Sequence, residues 1–258
     1  MIDAAVLGSP IGHSLSPLLH NVAYKHLGVQ GQYEAIEVKS GQLSEFLSTT
    51  QKDVFSLTMP LKEEALGVAH DVSQIAMRIS GGNTLVRSGT GWNLTSTDVE
   101  GFKYALLGHG ISKVENCLII GAGATARAAV AAVSELAENI FVLNRNRERV
   151  AQMNTAAGRA VTYLPWEINS HTNTADLVIN TTPAHVADQF QSALRSPQGV
   201  LFEVLYHPWP TVLAQSWVNS GAKVIDGLDL LIHQAISQVE IFAQLSVNRS
   251  EMYGLMRT

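Results

Sequence analysis

CLIIGAGATARAAVAAVSELAENIFVL, residues 117–143, is the stretch whose reading decides the fold. A short apolar run, Cys117–Ile120, ends in Gly121-Ala122-Gly123. A helical pattern follows, with Ala126, Ala129, Val130, Val133 and Leu136 on one face, and a second apolar run, Ile140–Leu143, closes the unit. Strand, glycine turn, helix and strand in that order form the opening of a dinucleotide-binding α/β unit. Gly121 permits the tight turn, and Gly123 lets the backbone approach a pyrophosphate. Ala126 keeps the third small position, where helix packs closely on sheet. The N–H groups of the helix start, from Ala124 onward, can hold phosphate with the help of the helix dipole. Gly121, Ala122, Gly123 and Ala124 are therefore candidate cofactor-binding residues.

The cofactor's type is read at the end of the second strand. An NAD enzyme is expected to place an acid there, about 20 residues beyond the turn, to bind the adenosine ribose. This chain has Asn144-Arg145-Asn146-Arg147-Glu148-Arg149. Three arginines and no acid at the strand end suit a 2′-phosphate, because the guanidinium presents a planar fork of donors to phosphate oxygens. Arg145 and Arg149 stand four apart and would face one site if a helix began there. NADP, bound by Asn144, Arg145 and Arg149, is the expected cofactor.

The rest of the composition sets bounds. With 258 residues the chain fits one large domain or two small ones, and 46% hydrophobic content is ordinary for a globular protein. A net charge of −5 with interspersed charges and no basic tail argues against nucleic acid as a partner. A single cysteine, Cys117, forms no internal disulfide framework, and its place in an apolar run makes it a core thiol. The N-terminal residues lack the basic start and long apolar core of a signal peptide, and no apolar run is long enough to span a membrane. A cytoplasmic protein that does not engage membranes is expected. No metal-spaced His/Cys cluster is present, so no metal is expected.

Before the glycine turn the chain alternates strands and helices. Ala4–Leu7 is a short strand that opens into a turn-rich loop, Gly8–Pro17. Ser16 is expected to cap a helix with Pro17 at its first position. Leu18, Leu19, Val22, Ala23 and Leu27 give that helix its apolar face. Ser14 and Ser16 suit two roles equally, helix capping and hydrogen bonding to a carboxylate. Tyr33–Val38 alternates as a strand, Leu43–Leu47 reads as helix, and Val54–Leu57 is a strand again. Lys62 follows just past that strand's end, where open α/β sheets place their ligands. Gly81-Gly82-Asn83-Thr84 turns into another strand, and Ser96-Thr97-Asp98 opens a helix. After the glycine unit, Leu177–Thr181 and Val200–Leu205 read as strands, Thr211–Trp217 as a helix and Lys223–Ile225 as a last strand. Gly227 precedes a helix carrying Leu230, Leu231, Gln234, Ile236, Ile241 and Phe242. Thr181, at the end of its strand, suits two roles equally, a plain turn and contact with the nicotinamide half of the cofactor.

These pieces together carry a resemblance. Gly8-x-Pro10-x-x-His13-Ser14-x-Ser16-Pro17-x-x-His20-Asn21, Thr58-x-Pro60-x-Lys62, Asn83-Thr84, Thr97-Asp98-x-x-Gly101-Phe102, Gly121-Ala122-Gly123, Tyr206-x-Pro208-x-x-Thr211 and Gly227-x-x-x-Leu231-x-x-Gln234-Ala235 occur in that order. In this the chain resembles the shikimate dehydrogenases over nearly its whole length. The resemblance implies an N-terminal α/β domain, residues 1–98, that binds a hydroxylated ring acid. It implies an NADP-binding Rossmann domain over residues 99–226, and C-terminal helices over 227–258 that pack back on the first domain. Ser14 and Ser16 resemble the hydroxyls that bind the substrate carboxylate, with Tyr206 assisting. Thr58, Asn83 and Gln234 resemble the residues that contact ring hydroxyls, and Lys62 and Asp98 resemble the catalytic pair. Thr181 and Gly227 complete the cofactor-binding set.

The implied activity is reduction of 3-dehydroshikimate to shikimate with NADPH, in the route to chorismate and the aromatic amino acids. Lys62 would give the proton and Asp98 would orient it. The implied partners are that small-molecule substrate and the cofactor, with a monomer or homodimer as the assembly. The chain departs from the family's pattern at three places. Ser56-Leu57-Thr58 stands for the usual Asn-Val-Thr, Gly81-Gly82-Asn83-Thr84 for Ala-Val-Asn-Thr, and Ser96-Thr97-Asp98 for Asn-Thr-Asp. Two alternatives follow from those departures. One is a quinate/shikimate or aminoshikimate dehydrogenase of a divergent branch. The other is a non-catalytic NADP-binding regulatory protein.

Overall fold

The apolar runs form two six-stranded sheets, seen in a computed structural model that describes residues 1–167, 170–194 and 196–258. The chain divides into two compact units: Met1–Gly101 with Leu231–Thr258, and Phe102–Leu230.

The first unit opens with strands β1 (Ile2–Gly8), β2 (Gly31–Glu37), β3 (Val54–Leu57), β4 (Asp71–Val72), β5 (Thr84–Ser88) and β6 (Gly91–Thr95). Its helices are α1 (Ser16–His26), α2 (Leu43–Thr49), α3 (Leu61–Glu64) and α4 (Gln74–Arg78). The sheet order is β2-β1-β3-β5-β6-β4. β1 runs parallel to β2 and β3, and β5 runs antiparallel to both β3 and β6. β1 is buried along Ala4–Gly8, as a strand with neighbours on both sides should be. Leu7, Phe55, Leu57, Leu85 and Leu94 are buried together in its core. Each such side chain removed from water contributes roughly 1.5–3 kcal/mol, so a one-residue slip that turned them outward would be strongly disfavoured. That locks the register of the strand ends, where the polar residues lie.

α5 (Asp98–Gly108) carries the chain out of the first unit. The second unit holds β7 (Val114–Ile120), α6 (Ala124–Val133), β8 (Ala137–Leu143), α7 (Val150–Ala157), β9 (Thr162–Leu164), α8 (Ser170–Thr174), β10 (Leu177–Asn180), β11 (Val200–Glu203), α9 (Val212–Asn219) and β12 (Val224–Ile225). α10 (Gly227–Ala243) leads back, and α11 (Arg249–Arg257) closes the chain.

Every strand pair of the second sheet is parallel, and its order, β9-β8-β7-β10-β11-β12, is that of a Rossmann fold. α6 is buried continuously from Ala126 to Val133, which its run of alanines permits. Cys117 is buried in β7, and burial raises its thiol pKa. Among the described residues, no helix is long and apolar enough to cross a membrane.

Two local expectations are corrected. Ser16 does not cap α1; it is the first residue of that helix, and Ser14 Oγ accepts the Ser16 N–H at 3.3 Å. The N-cap position is Leu15, whose side chain makes no cap hydrogen bond, and the loop before it turns at Ile11–Ser14, where the Ser14 N–H bonds Ile11 O. Arg145 and Arg149 do not share a helical face. Asn146 caps a 3-10 turn over Arg147–Arg149, and α7 starts only at Val150, so helical spacing does not apply to Arg145.

Candidate active site

Strand direction explains why distant residues meet in the first unit. β1 and β3 are parallel, so the loops after Gly8 and after Leu57 leave the same sheet edge. β5 is antiparallel, with Ser56 paired to Thr84, so Asn83 enters at the edge where β3 ends. β6 returns beside β5, with Thr84 paired to Thr95, and delivers Thr97 and Asp98 there as well. The main chain stitches these ends together. Thr58 N–H bonds Leu7 O at 2.9 Å, Leu57 N–H bonds Asn83 O at 2.8 Å, and Asn83 N–H bonds Thr95 O at 3.1 Å. Gly8 permits this approach, since a Cβ there would collide with Thr58 Cγ2.

At this edge Lys62 Nζ donates to Asp98 Oδ2 at 2.6 Å. The side chains are 16% and 5% exposed respectively, so the pair is mostly withdrawn from water with the lysine the more open. Asn83 Nδ2 lies 2.9 Å from the other oxygen, Asp98 Oδ1, 3.0 Å from Thr97 Oγ1 and 3.1 Å from Gln234 Oε1. Asn83 Oδ1 accepts the Thr97 N–H at 2.9 Å. Lys62, Asp98, Asn83 and Gln234 therefore form one polar cluster. A charged amine held by one carboxylate oxygen, beside buried amides, is the equipment for moving a proton to or from an oxygen.

Ser14 and Ser16 sit on the loop and helix start beyond β1. Ser14 is engaged with the Ser16 N–H, while the buried Ser16 makes no side-chain hydrogen bond among the described residues. Thr58 lies between β3 and Lys62, in the same group of loops. Tyr206 belongs to the second unit, three residues past the end of β11.

In the second unit β7 pairs with both β8 and β10, so the direction of chain progression reverses between β7 and β10, where such folds bind their ligands. Gly121 follows β7 with φ +112°, and a Cβ there would lie 2.5 Å from Thr181 Oγ1. Only glycine suits both the dihedral and the space. Thr181 closes the gap from the β10 side, its hydroxyl donating to Ile120 O at 2.8 Å. Gly123 caps α6, no side chain among the described residues bonds the helix's first N–H groups, and a Cβ on Gly123 would meet nothing within 4 Å. At the end of β8, Arg145 places its guanidinium 5.3 Å from the centre of the Trp166 ring, a cation–π contact that orients it. Asn144 Nδ2 donates to Asn146 O at 2.6 Å. Open donors at a helix start and a cationic strand end without an acid fit a phosphorylated dinucleotide. Gly227 is demanded by the chain itself, since a Cβ would strike Val204 O. Among the described residues, no three His, Cys, Asp or Glu side chains gather as a metal site.

Residues 6–85 match the family described as shikimate dehydrogenase substrate binding domain, and residues 106–193 match shikimate/quinate 5-dehydrogenase. The NADP(+) shikimate dehydrogenase of Bartonella quintana is 34% identical over 92% of this chain and 86% of its own length. That of Prochlorococcus marinus strain AS9601 is 31% identical, over 92% and 90%. The chain belongs to the shikimate dehydrogenase family. Among solved structures, the Mycobacterium tuberculosis shikimate dehydrogenase superposes with a TM-score of 0.88 at 35% identity, covering 100% of this chain and 99% of that one. The Thermus thermophilus enzyme, solved with NADP(H) and shikimate, does so at 0.85 and 30%, covering 100% and 99%.

The three departures from the family's pattern now have physical settings. Ser56 is buried and bonded on both sides, to Tyr33 and Gln238. Gly82 has no room for a side chain, because a Cβ would lie 2.5 Å from Leu94 Cγ and 2.8 Å from Thr95 O. Ser96 Oγ accepts the Asp98 N–H at 3.4 Å.

Sequence reasoning missed the buried Arg127 and Glu203, whereas the buried His20 already stood in the first motif. His20 stacks on Tyr33 at 4.0 Å, and burial pushes its pKa down to about 3, against a smaller upward pull from Gln238. Arg127, fully buried in α6, donates to Ala122 O at 3.2 Å and so braces the glycine turn. Glu203, at the end of β11, accepts from Asn180 Nδ2 at both oxygens, from the Leu205 N–H and from Thr211 Oγ1. Burial outweighs these bonds and pushes its carboxyl up to about 7. The signal for Glu203 was a lone acid within an apolar strand.

Proposed function

We propose that this chain is an NADP-dependent shikimate dehydrogenase that interconverts 3-dehydroshikimate and shikimate, with Lys62 and Asp98 as the acid–base pair. The 2.6 Å contact between their side chains, within a buried amide cluster at a sheet edge, carries this reading. Residues 1–98 with the C-terminal helices from 227 onward hold the ring acid, and residues 99–226 hold the cofactor. Gly121, Ala122, Gly123 and Ala124 bind its pyrophosphate. Asn144, Arg145 and Arg149 bind its 2′-phosphate, and Thr181 and Gly227 shape the nicotinamide side. When bound, NADPH supplies the hydride.

Lys62 has three N–H hydrogens, of which Asp98 takes one. Another is free to go to the ring oxygen as that oxygen gains negative charge, so Lys62 acts as general acid in reduction and as general base in the reverse reaction. Asp98 holds the amine in place and shares the ring hydroxyl. Asn83, Gln234 and Thr58 orient the remaining hydroxyls, and Ser14, Ser16 and Tyr206 bind the carboxylate. The enzyme works as a monomer or homodimer, which analytical ultracentrifugation resolves.

The direct test is NADPH production from shikimate and NADP⁺, with quinate and NAD⁺ as controls. Turnover with shikimate and NADP⁺ supports the reading. Preference for quinate points to the divergent branch, and tight NADP⁺ binding with no turnover points to a regulatory protein.

A further inference from the structure

Asn83 is held from behind by a buried array that the assigned chemistry does not use. Gln238, one helical turn after Gln234, donates from Nε2 to the Asn83 main-chain oxygen and to Thr84 Oγ1, both at 3.0 Å. Thr84 Oγ1 lies 2.7 Å from Asn83 Oδ1. On the far side, Ser56 Oγ lies 2.7 Å from Gln238 Oε1 and 2.5 Å from the Tyr33 hydroxyl.

Proton counting gives this array one direction. The Asn83 carbonyl can only accept, so the Gln238 group facing it is the NH₂ and its oxygen faces Ser56. Ser56 has one hydroxyl hydrogen, which goes to that oxygen, so Ser56 accepts from Tyr33. Thr84 accepts from Gln238 and therefore spends its own hydrogen on Asn83 Oδ1. The Thr97 N–H can only donate, which independently fixes Oδ1 on that side of Asn83 and turns Nδ2 toward Asp98. Each group can be satisfied only if its neighbours point the same way, and buried networks of this kind are costly to misorient.

We infer that Ser56, Gln238 and Thr84 are positioning residues that hold the Asn83 amide on Asp98 and so set the Lys62 amine for proton transfer. The inference rests on the Lys62–Asp98 reading. It also gives Ser56 a purpose: a hydroxyl that both donates and accepts keeps the Gln238 amide in the one useful orientation.

The test compares Thr84→Val, which keeps the shape and loses the hydroxyl, with Thr84→Ser, which keeps the hydroxyl. Thr84→Val is expected to lower kcat on the order of tenfold, the scale of one net hydrogen bond. KM for NADP⁺ should stay unchanged, and Thr84→Ser should keep kcat within about twofold. Ser56→Ala, a small truncation that also serves if Thr84→Val does not fold, should lower kcat about threefold. A second readout needs no turnover: trace acetylation of Lys62, quantified by mass spectrometry across pH. Loosening Asp98 should speed Lys62 labelling in Thr84→Val and Ser56→Ala and leave Thr84→Ser like the parent. Equal kcat and equal Lys62 labelling in Thr84→Val and Thr84→Ser would overturn the inference. Should the parent protein fail to oxidise shikimate, the functional reading falls, while the labelling comparison still decides whether the array governs Lys62.

Discussion

Glu203→Gln should change how stability depends on pH, and by an amount the structure allows to be worked out. Burial raises the Glu203 carboxyl from 4.5 to about 7 in the folded chain. A raised folded pKa means that the folded state binds the proton more tightly than the unfolded state does. The group's stabilising contribution is therefore complete below pH 4.5 and is lost as pH rises through about 7. A shift of this size, at 1.36 kcal/mol per pKa unit, amounts to roughly 3 kcal/mol. Glutamine has no proton to exchange, so the variant lacks this slope. Its altered bonds to Asn180, Leu205 and Thr211 add a constant offset. The assay is urea unfolding of both proteins at intervals from pH 4.5 to 7.5. The stability of the parent minus that of the variant should fall by roughly 3 kcal/mol across the window. A difference that stays level with pH would refute the reasoning and mean that the four donated hydrogen bonds, not burial, govern Glu203.

Lys62→Ala should lower kcat by roughly 10²–10⁴-fold with a much smaller change in the KM for shikimate, measured by steady-state kinetics; retained kcat would remove Lys62 from the chemistry. Arg145→Ala should weaken NADPH binding far more than NADH binding in fluorescence titrations, because only NADPH carries the 2′-phosphate that the guanidinium would hold. Gly82→Val, which restores the family's usual residue, should destabilise the protein by roughly 1–3 kcal/mol through overpacking on Leu94, and adding Leu94→Ala should recover part of that loss in thermal unfolding.

Much of this protein was legible in the order of its residues. The glycine turn, its flanking apolar runs and the small-residue helix identified the Rossmann unit, because strand and helix periodicity are short-range properties. The motifs named the polar residues and the family. Errors came where local signals were ambiguous. Ser16 is a good cap by type, yet the N-cap of α1 is Leu15, and Ser14 Oγ takes the Ser16 N–H instead. The arginines after β8 have helical spacing, yet Asn146 caps a short 3-10 turn there instead.

What the sequence determined by itself was the kind of each element and the inventory of chemically able side chains. Which of those side chains meet was decided by tertiary structure alone. Lys62 and Asp98 lie 36 positions apart, and Asn83 and Gln234 lie 151 apart. They come together because parallel β1 and β3 and antiparallel β5 and β6 all turn at one sheet edge, and because α10 returns to the first unit. Ser56 and Gln238 are unremarkable polar letters in the chain. They acquire a role only when burial strips away water and leaves each donor a single acceptor to choose.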